Sequence, residues 1–349
     1  MRLSIVCFTE SGARLCEKLM KGFLEAGDQC RGYGPENKSL IPLSSSLKEW
    51  TKEQFSEKDG IIFIGAAGIA VRAIAPFLEG KEKDPAVVVL DDLGRFSISL
   101  LSGHLGGANE LAERAAHIAG GQAVITTATD NHGSFAVDLF AKKHGLVITE
   151  IKKVKEVSSA VLKREEVGFY SDFPVKGEPP GELIMGKTCR VNFWITVRKK
   201  PEKERETALR DALRLVPKIL VVGIGCRKKI SAQAVEAAVD QTFLNWNLSL
   251  KGLMACASID IKKEEAGICE YADGKGIPFY TFSSRALSQA EGEFSSSSFV
   301  RQVTGVDNVC ERAALVCVNE LGGGKLLVKK QVLNGVTVAV AIRDWMIKL

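Results

Sequence analysis

Residues 61–80 read IIFIGAAGIAVRAIAPFLEG, a five-residue apolar run, a small glycine-containing turn and then a segment of helical character. The same unit recurs on both sides of it. Upstream, LSIVCF (3–8) precedes SGARLCEKLMKGFLEAG, in which Leu15, Leu19, Phe23 and Leu24 fall at helical spacing, with Ser11 as N-cap and Gly27 as stop. Downstream, AVVVLD (86–91) and FSISLL (96–101) read as strands and GGANELAERAAHIAG as a helix. AVITT (123–127), a helical stretch near 134–144 and LVIT (146–149) complete the series. Short apolar runs alternating with amphipathic helices indicate a mainly parallel sheet with helices on both faces.

From about 150 to 215 the pattern blurs. Charge density rises, PVKGEPPGE (174–182) carries three prolines, and RVNFWITV (190–197) is the one plain strand. Alternation returns at ILVVGIG (219–225), followed by a helix from Ser231 to Trp246, then MACASID (254–260), IPFYTFS (277–283) and a helix from Val309 to Leu321. KLLVKKQVL and VTVAVAIRD flank Asn334-Gly335, a strong hairpin signal. The expected fold class is α/β: two mainly parallel α/β sandwich domains (1–149 and 217–349) joined by a small mixed α/β middle domain (150–216).

At 349 residues the chain exceeds one ordinary core. The formal net charge of +5 permits an anionic small-molecule partner. The basic clusters near Lys152–Lys155 and Arg198–Lys203 lack interleaved aromatics, so no nucleic-acid partner is expected. No charge-free run of 18 apolar residues and no signal peptide is seen, so no membrane partner is expected and the cytoplasm is the default location. Nine scattered cysteines without a CxxC read as reduced thiols, and no His/Cys set has the spacing of a metal site.

The densest constellation is LLSGHLGGANELAERAA (100–116), a strand end, a glycine-rich loop and a helix start. Ligands bind beyond strand ends in doubly wound sheets, and the amides of Gly106 and Gly107 at a helix N-terminus suit an anion. His104 in this loop either takes a proton from water or hydrogen-bonds the loop to itself. Ser102, Gly103 and Asn109 belong to the same candidate binding loop. Three further loops are expected at the same sheet edge: AAGIAVR with Arg72, Asp91-Asp92 with Gly94 and Arg95, and ATD with Asp130. Each carboxylate alone also reads as a cap or turn residue. In the second half, VVGIGCRKKIS (221–231) reads as strand, glycine turn and helix. Arg227 is a carboxylate clamp, Cys226 a weaker candidate nucleophile, and Ser258 and Lys262 stand at the next strand end.

These motifs resemble the cobalt-precorrin-5A hydrolase family. The match is carried by GIAVRAIAP, Asp91-Asp92 before Gly94, FSISLLSGHLGGANELA, VITTATD, FAVDLFA, GIGCRKK, ASIDIKKEEAG and NVCERAAL, and it spans nearly the whole chain. Where the family pattern has glycine after GCRK, this chain has Lys229. The resemblance implies a tetrapyrrole substrate bound between the α/β domains. It implies hydrolysis of the ring-A δ-lactone of cobalt-precorrin 5A, with loss of acetaldehyde, to give cobalt-precorrin 5B. The protein would need no cofactor of its own, because the cobalt belongs to the substrate. His104, Asp91 or Asp130 would move protons, while Arg72, Arg95, Arg227 and Lys262 would grip carboxylates. A non-catalytic tetrapyrrole carrier and an unrelated nucleotide-using enzyme are the alternatives, and a homodimer is left open.

Overall fold

The computed structural model describes residues 1–35, 39–80, 83–103, 106–126 and 135–349. The chain forms two compact units, residues 1–139 and 140–349.

The first unit is built on strands β1 (Arg2–Cys7), β2 (Gln29–Gly34), β3 (Ile41–Pro42), β4 (Gly60–Ile64), β5 (Ala86–Leu90), β6 (Phe96–Leu101) and β7 (Gln122–Val124). They form one sheet in the order β3-β2-β1-β4-β5-β6-β7. Alternating side chains sort to its two faces, as a period of two requires. Leu3, Ile5, Ile62, Ile64, Val88 and Leu90 pack with helices α1 (Glu10–Glu25) and α4 (Ala108–Ala119). Val6, Ile61, Phe63, Val87 and Val89 pack on the other face with α2 (Leu47–Glu57) and α3 (Ala67–Ile74). The cap of α1 is Thr9, whose side chain accepts from the Gly12 N–H, and not Ser11, whose hydroxyl donates to the Asp92 carbonyl.

One pairing departs from the parallel rule. β6 runs antiparallel to β5, with Leu90 opposite Ser97 and Val87 opposite Leu101. Five residues, Asp91 to Arg95, join the two, with Gly94 left-handed at φ 68°. A parallel crossover needs about a dozen residues, so this link can only be a hairpin.

The second unit holds two larger sheets. The first comprises β8 (Leu146–Ile148), β9 (Val167–Ser171), β11 (Leu183–Met185), β12 (Val191–Ile195) and β13 (Leu213–Pro217), in the order β11-β9-β12-β13-β8. LVIT therefore does not close the first alternating series, since β8 pairs antiparallel with β13. A two-residue strand β10 (Val175–Lys176) pairs with β19 (Ile347–Lys348) at the end of the chain.

The second sheet comprises β14 (Leu220–Cys226), β15 (Leu253–Ile259), β16 (Phe279–Phe282), β17 (Gly324–Leu333) and β18 (Val336–Arg343), in the order β16-β15-β14-β18-β17. β14, β15 and β16 are parallel, and the β17–β18 hairpin lies antiparallel against β14. Asn334 (φ 48°) and Gly335 (φ 84°) both turn left-handed, the backbone of the expected tight hairpin. Gly223 is not part of a turn, because β14 runs on to Cys226. A Cβ at Gly223 would stand 1.9 Å from the Cys310 carbonyl, so this glycine lets helix Cys310–Glu320 lie directly on the strand. All nine cysteines are free thiols, and Cys7, Cys16, Cys256, Cys310 and Cys317 are buried. Among the described residues, no helix is long and apolar enough to cross a membrane.

Candidate functional site

β1, β4 and β5 are mutually parallel, so their carboxyl ends share one edge. The strand order reverses direction at β1, with β2 on one side and β4 on the other, and ligand crevices of doubly wound sheets open at such a switch. Gly65 closes β4 there, with φ 147°, and a Cβ on it would meet the Phe8 ring at 3.2 Å. The Arg72 guanidinium folds back over the first turn of α3, since a Cβ at Gly68 would lie 3.4 Å from its Nη1. Asp92 accepts a hydrogen bond from the Thr9 hydroxyl at 2.6 Å.

Asp91 stands at this edge as the organiser of the β5–β6 turn. Its Oδ1 accepts from the Phe96 N–H at 2.7 Å and its Oδ2 from Arg95 Nε at 3.1 Å, while its carbonyl accepts from Gly94. Partial burial tends to raise its carboxyl pKa. The Phe96 amide and the Arg95 guanidinium outweigh this and hold it below the ordinary value. A carboxylate stabilised as the anion and engaged at both oxygens is a poor base. Arg95 is likewise held by Asp91.

The expected convergence of four loops on one edge does not occur. Because β6 is antiparallel to β5, its end at Leu101 lies beside Val87, at the edge opposite Asp91. The Ser102 hydroxyl confirms this by donating to the carbonyl of Asp84, two residues before β5. β7 is parallel to β6, so the chain leaving β7 starts from that second edge. Arg72, Asp91 and Arg95 thus belong to one edge, and Ser102, Gly103, Gly106 and Gly107 to the other. His104 and Asp130 lie outside the described residues.

The described residues at either end of the loop at the second edge are firmly held. Ser102 is left-handed at φ 59°, an uncommon conformation for a residue with a Cβ. The amides of Ala108 and Asn109 donate to the carbonyls of Ser102 and Gly103, tying the start of α4 to the end of β6. The Asn109 Oδ1 accepts from Ser99 at 2.6 Å and lies where a Cβ on Gly103 would be 2.8 Å away. Asn109 therefore pins Gly103 to β6. Gly107, at φ 85°, starts α4 without a side-chain cap.

In the second unit, the carboxyl ends of β14 and β15 open into a cavity of about 1110 Å³. Arg227, Lys228, Lys229, Lys262 and Lys330 line it against two carboxylates, Glu264 and Glu265, and Ile259, Ile261, Val300, Val303 and Val309 give it apolar walls. Ile261 and Val303 remain 61% and 62% exposed, so apolar surface is presented at the mouth. The cavity thus offers greasy walls and an excess of positive charge.

Glu265 is the residue that the sequence reading passed over. It accepts from Lys262 Nζ at 2.7 Å and from the Ile230 N–H at 3.2 Å, fastening the loop after β14 to the loop after β15. Burial tends to raise its carboxyl pKa, but Lys262 and the backbone amides of Lys229 and Ile230 bring it below the ordinary value. A depressed folded pKa gives stability that is present above the unfolded value, about 4.3, and lost as pH falls through the folded value. A Glu265→Gln variant is therefore expected to lose less melting temperature than the parent between about pH 5 and about pH 3. Equal losses would show that the carboxylate contributes nothing.

Lys262 lines the cavity as expected, although its ammonium is already paired. Ser258 does not: it is fully buried and its hydroxyl donates to the Ile224 carbonyl at 2.7 Å. Burial pushes the Cys226 thiol above its ordinary pKa despite the opposing pull of Lys262, which disfavours the thiolate a nucleophile needs. Arg227 lies across the hairpin turn, its Nε 2.9 Å from where a Cβ on Gly335 would stand. Lys229, where the family pattern has glycine, is left-handed at φ 60°. That conformation explains the glycine, and Lys229→Gly is expected to raise stability by up to about 1 kcal/mol in an unfolding titration. A loss of stability would mean the lysine side chain outweighs its backbone strain. Among the described residues, no cluster of three His, Cys, Asp or Glu could hold a metal ion.

Comparison with known proteins supplies three family matches that together span most of the chain. Residues 49–130 match the family described as Cobalamin synthesis G N-terminal, 135–217 Cobalamin biosynthesis central region, and 220–341 Cobalamin synthesis G C-terminus. A cobalt-precorrin-5A hydrolase of Salmonella typhimurium is 32% identical, with 97% of each chain covered. One from Priestia megaterium is 30% identical over 97% of this chain and 94% of that one. A crystal structure of a putative cobalamin biosynthesis protein G homolog from Sulfolobus solfataricus is 20% identical, with TM-score 0.42, covering 98% of this chain and 97% of that one.

Proposed function

The chain belongs to the cobalt-precorrin-5A hydrolase family, and from that premise we propose that it hydrolyses the ring-A δ-lactone of cobalt-precorrin 5A, releasing acetaldehyde and cobalt-precorrin 5B. The observation that best supports the substrate class is the cavity at the ends of β14 and β15. A tetrapyrrole is a broad apolar ring edged with carboxylates. Apolar walls with five cationic side chains at their margin match both halves of that description. Arg227 and Lys330 would take peripheral carboxylates.

Lactone opening adds water to the acyl carbon and breaks the acyl–oxygen bond. It asks for a base, stabilisation of the tetrahedral oxyanion and a proton for the departing alkoxide. Asp91 is committed to its turn, so the base is proposed to be His104, on its place in the sequence between Gly103 and Gly106. The amides of Gly106 and Gly107 have no partner among the described residues and would serve the oxyanion. The freed C20 alkoxide then becomes the carbonyl of acetaldehyde. Its carbon–carbon bond breaks towards the macrocycle, which takes up the electron pair and a proton.

Anaerobic incubation with cobalt-precorrin 5A should yield acetaldehyde and a corrinoid lighter by the mass of acetaldehyde less that of the water added. Binding of an unchanged substrate would instead favour a carrier. Arg227→Glu should raise KM about tenfold or more with kcat within about threefold, because it removes an attraction made equally in ground and transition states. A fall in kcat at unchanged KM would place Arg227 elsewhere in the reaction.

A further inference from the structure

We propose that Lys262 is the acid of the second chemical step, its ammonium supplying the proton that the macrocycle takes up as acetaldehyde leaves. The role rests on the proposed function, whose second step needs a proton donor at the ring's own cavity.

Lys262 ends the single turn Asp260–Lys262 that follows β15 directly, which carries it to the wall of the cavity. It is 8% exposed, and among the described residues it is the one buried cation. A buried ammonium needs a carboxylate close by. Glu265 provides it, with Oε2 accepting from Nζ at 2.7 Å. Glu265 is itself anchored, because its Oε1 accepts from the Ile230 N–H at 3.2 Å. The ammonium is thereby held by both loops, the one after β14 and its own. An ammonium carries three N–H donors. Glu265 takes one, and the Cys226 sulfur is within reach as a weak acceptor. A donor is left for a molecule in the cavity.

Burial and pairing set Lys262 apart from the other cations of this wall. Arg227, Lys228 and Lys229 are exposed, which suits peripheral carboxylates that keep their contact with water. The charge of Lys262 already answers Glu265, so a further carboxylate gains little from it. What it retains is a proton, held in a wall shared with Ile259, Ile261 and Val309. The second step uses that proton. The C20 alkoxide closes to a carbonyl, the bond between C20 and the macrocycle breaks, and its electron pair stays on the macrocycle carbon. Lys262 Nζ gives that carbon a proton and is left as a neutral amine, which water reprotonates after acetaldehyde departs.

Anaerobic turnover of cobalt-precorrin 5A by Lys262→Ala, followed by acetaldehyde and corrinoid mass, tests this. Acetaldehyde release should fall about 100-fold, the scale of a lost general acid. A ring-opened corrinoid, heavier than the substrate by one water, should accumulate in its place. Added methylammonium, which carries a proton into the vacated space, should restore release about tenfold or more. Tetramethylammonium, with the same charge and no such proton, should not. A lysine that only braced the fold would produce neither the opened intermediate nor this difference. Lys262→Ala leaves Glu265 without its cation, so the double variant Lys262→Ala/Glu265→Gln is run beside it with melting curves. It should behave alike and carries the test if the single variant fails to fold. Release within about threefold of the parent, or a folded variant that leaves bound substrate unopened, would overturn the role of Lys262. Turnover by the parent would then leave the proposed function standing, whereas a parent that opens no lactone would overturn both.

Discussion

Replacing Glu311 with alanine is expected to lower the unfolding free energy by about 4 kcal/mol. Glu311 is fully buried in the first turn of helix Cys310–Glu320. Its Oε1 accepts from the Lys330 N–H and the Ser295 hydroxyl, both at 2.7 Å, and its Oε2 accepts from the Ser295 N–H at 2.8 Å. One carboxylate thus ties the helix, strand β17 and the loop at Ser295 together. Alanine would leave three donors unsatisfied, each costing roughly 1–3 kcal/mol when buried, offset in part by water entering the vacated space. Glutamine should recover about half, since its amide keeps one accepting oxygen but turns N–H groups towards donors. The midpoint of a urea titration reads the effect. A shift worth less than about 1 kcal/mol would mean that these bonds are replaced without cost. Because Lys330, Asn308 and Cys310 border the cationic cavity, the same substitution should also loosen substrate binding.

The second large effect is expected at Gly106. An alanine Cβ there would stand 2.4 Å from the Ser102 Cβ and 2.8 Å from the Ser102 carbonyl oxygen. Neither obstacle is the free end of a flexible side chain. That carbonyl accepts the Ala108 amide, so moving it unlatches the start of α4 and displaces the glycine amides proposed to face the oxyanion. Gly106→Ala should cut kcat/KM by about 100-fold, or roughly 2.7 kcal/mol of transition-state stabilisation, and lower stability by about 1–3 kcal/mol. Activity within threefold of the parent would remove this loop from the chemistry.

The alternating runs of LSIVCF, IIFIG, AVVVL and ILVVGIG were readable as strands because burial on both faces demands continuous apolar residues. The hairpin at Asn334-Gly335 was readable for a different reason, since few residues tolerate two successive left-handed positions. What went wrong at the candidate site was strand direction. Apolar runs carry no sign of direction, so nothing in the runs on either side of DDLGR separates it from the other strand-end loops. Its five-residue length was the available clue, being too short for a parallel crossover. The turn role of Asp91 follows from the same fact.

Glu265 and Glu311 were harder to see. A buried carboxylate that accepts from lysine or backbone amides leaves no periodic trace; Glu311 sits in the first turn of a helix and Glu265 just before one, where acidic residues are ordinary. Ser258 was misplaced because a strand-end serine looks the same whether its hydroxyl meets a ligand or the neighbouring strand. Lys229 could be flagged only against a family pattern, and its left-handed backbone then supplied the physical reason.

The most direct test of the central claim is turnover of cobalt-precorrin 5A in ¹⁸O-labelled water, with mass analysis of the corrinoid product. Attack of water on the lactone carbonyl predicts one labelled oxygen in the new ring-A carboxylate, formed together with acetaldehyde. A corrinoid released without label, or one of unchanged mass with no acetaldehyde, would contradict hydrolysis of the lactone by this protein.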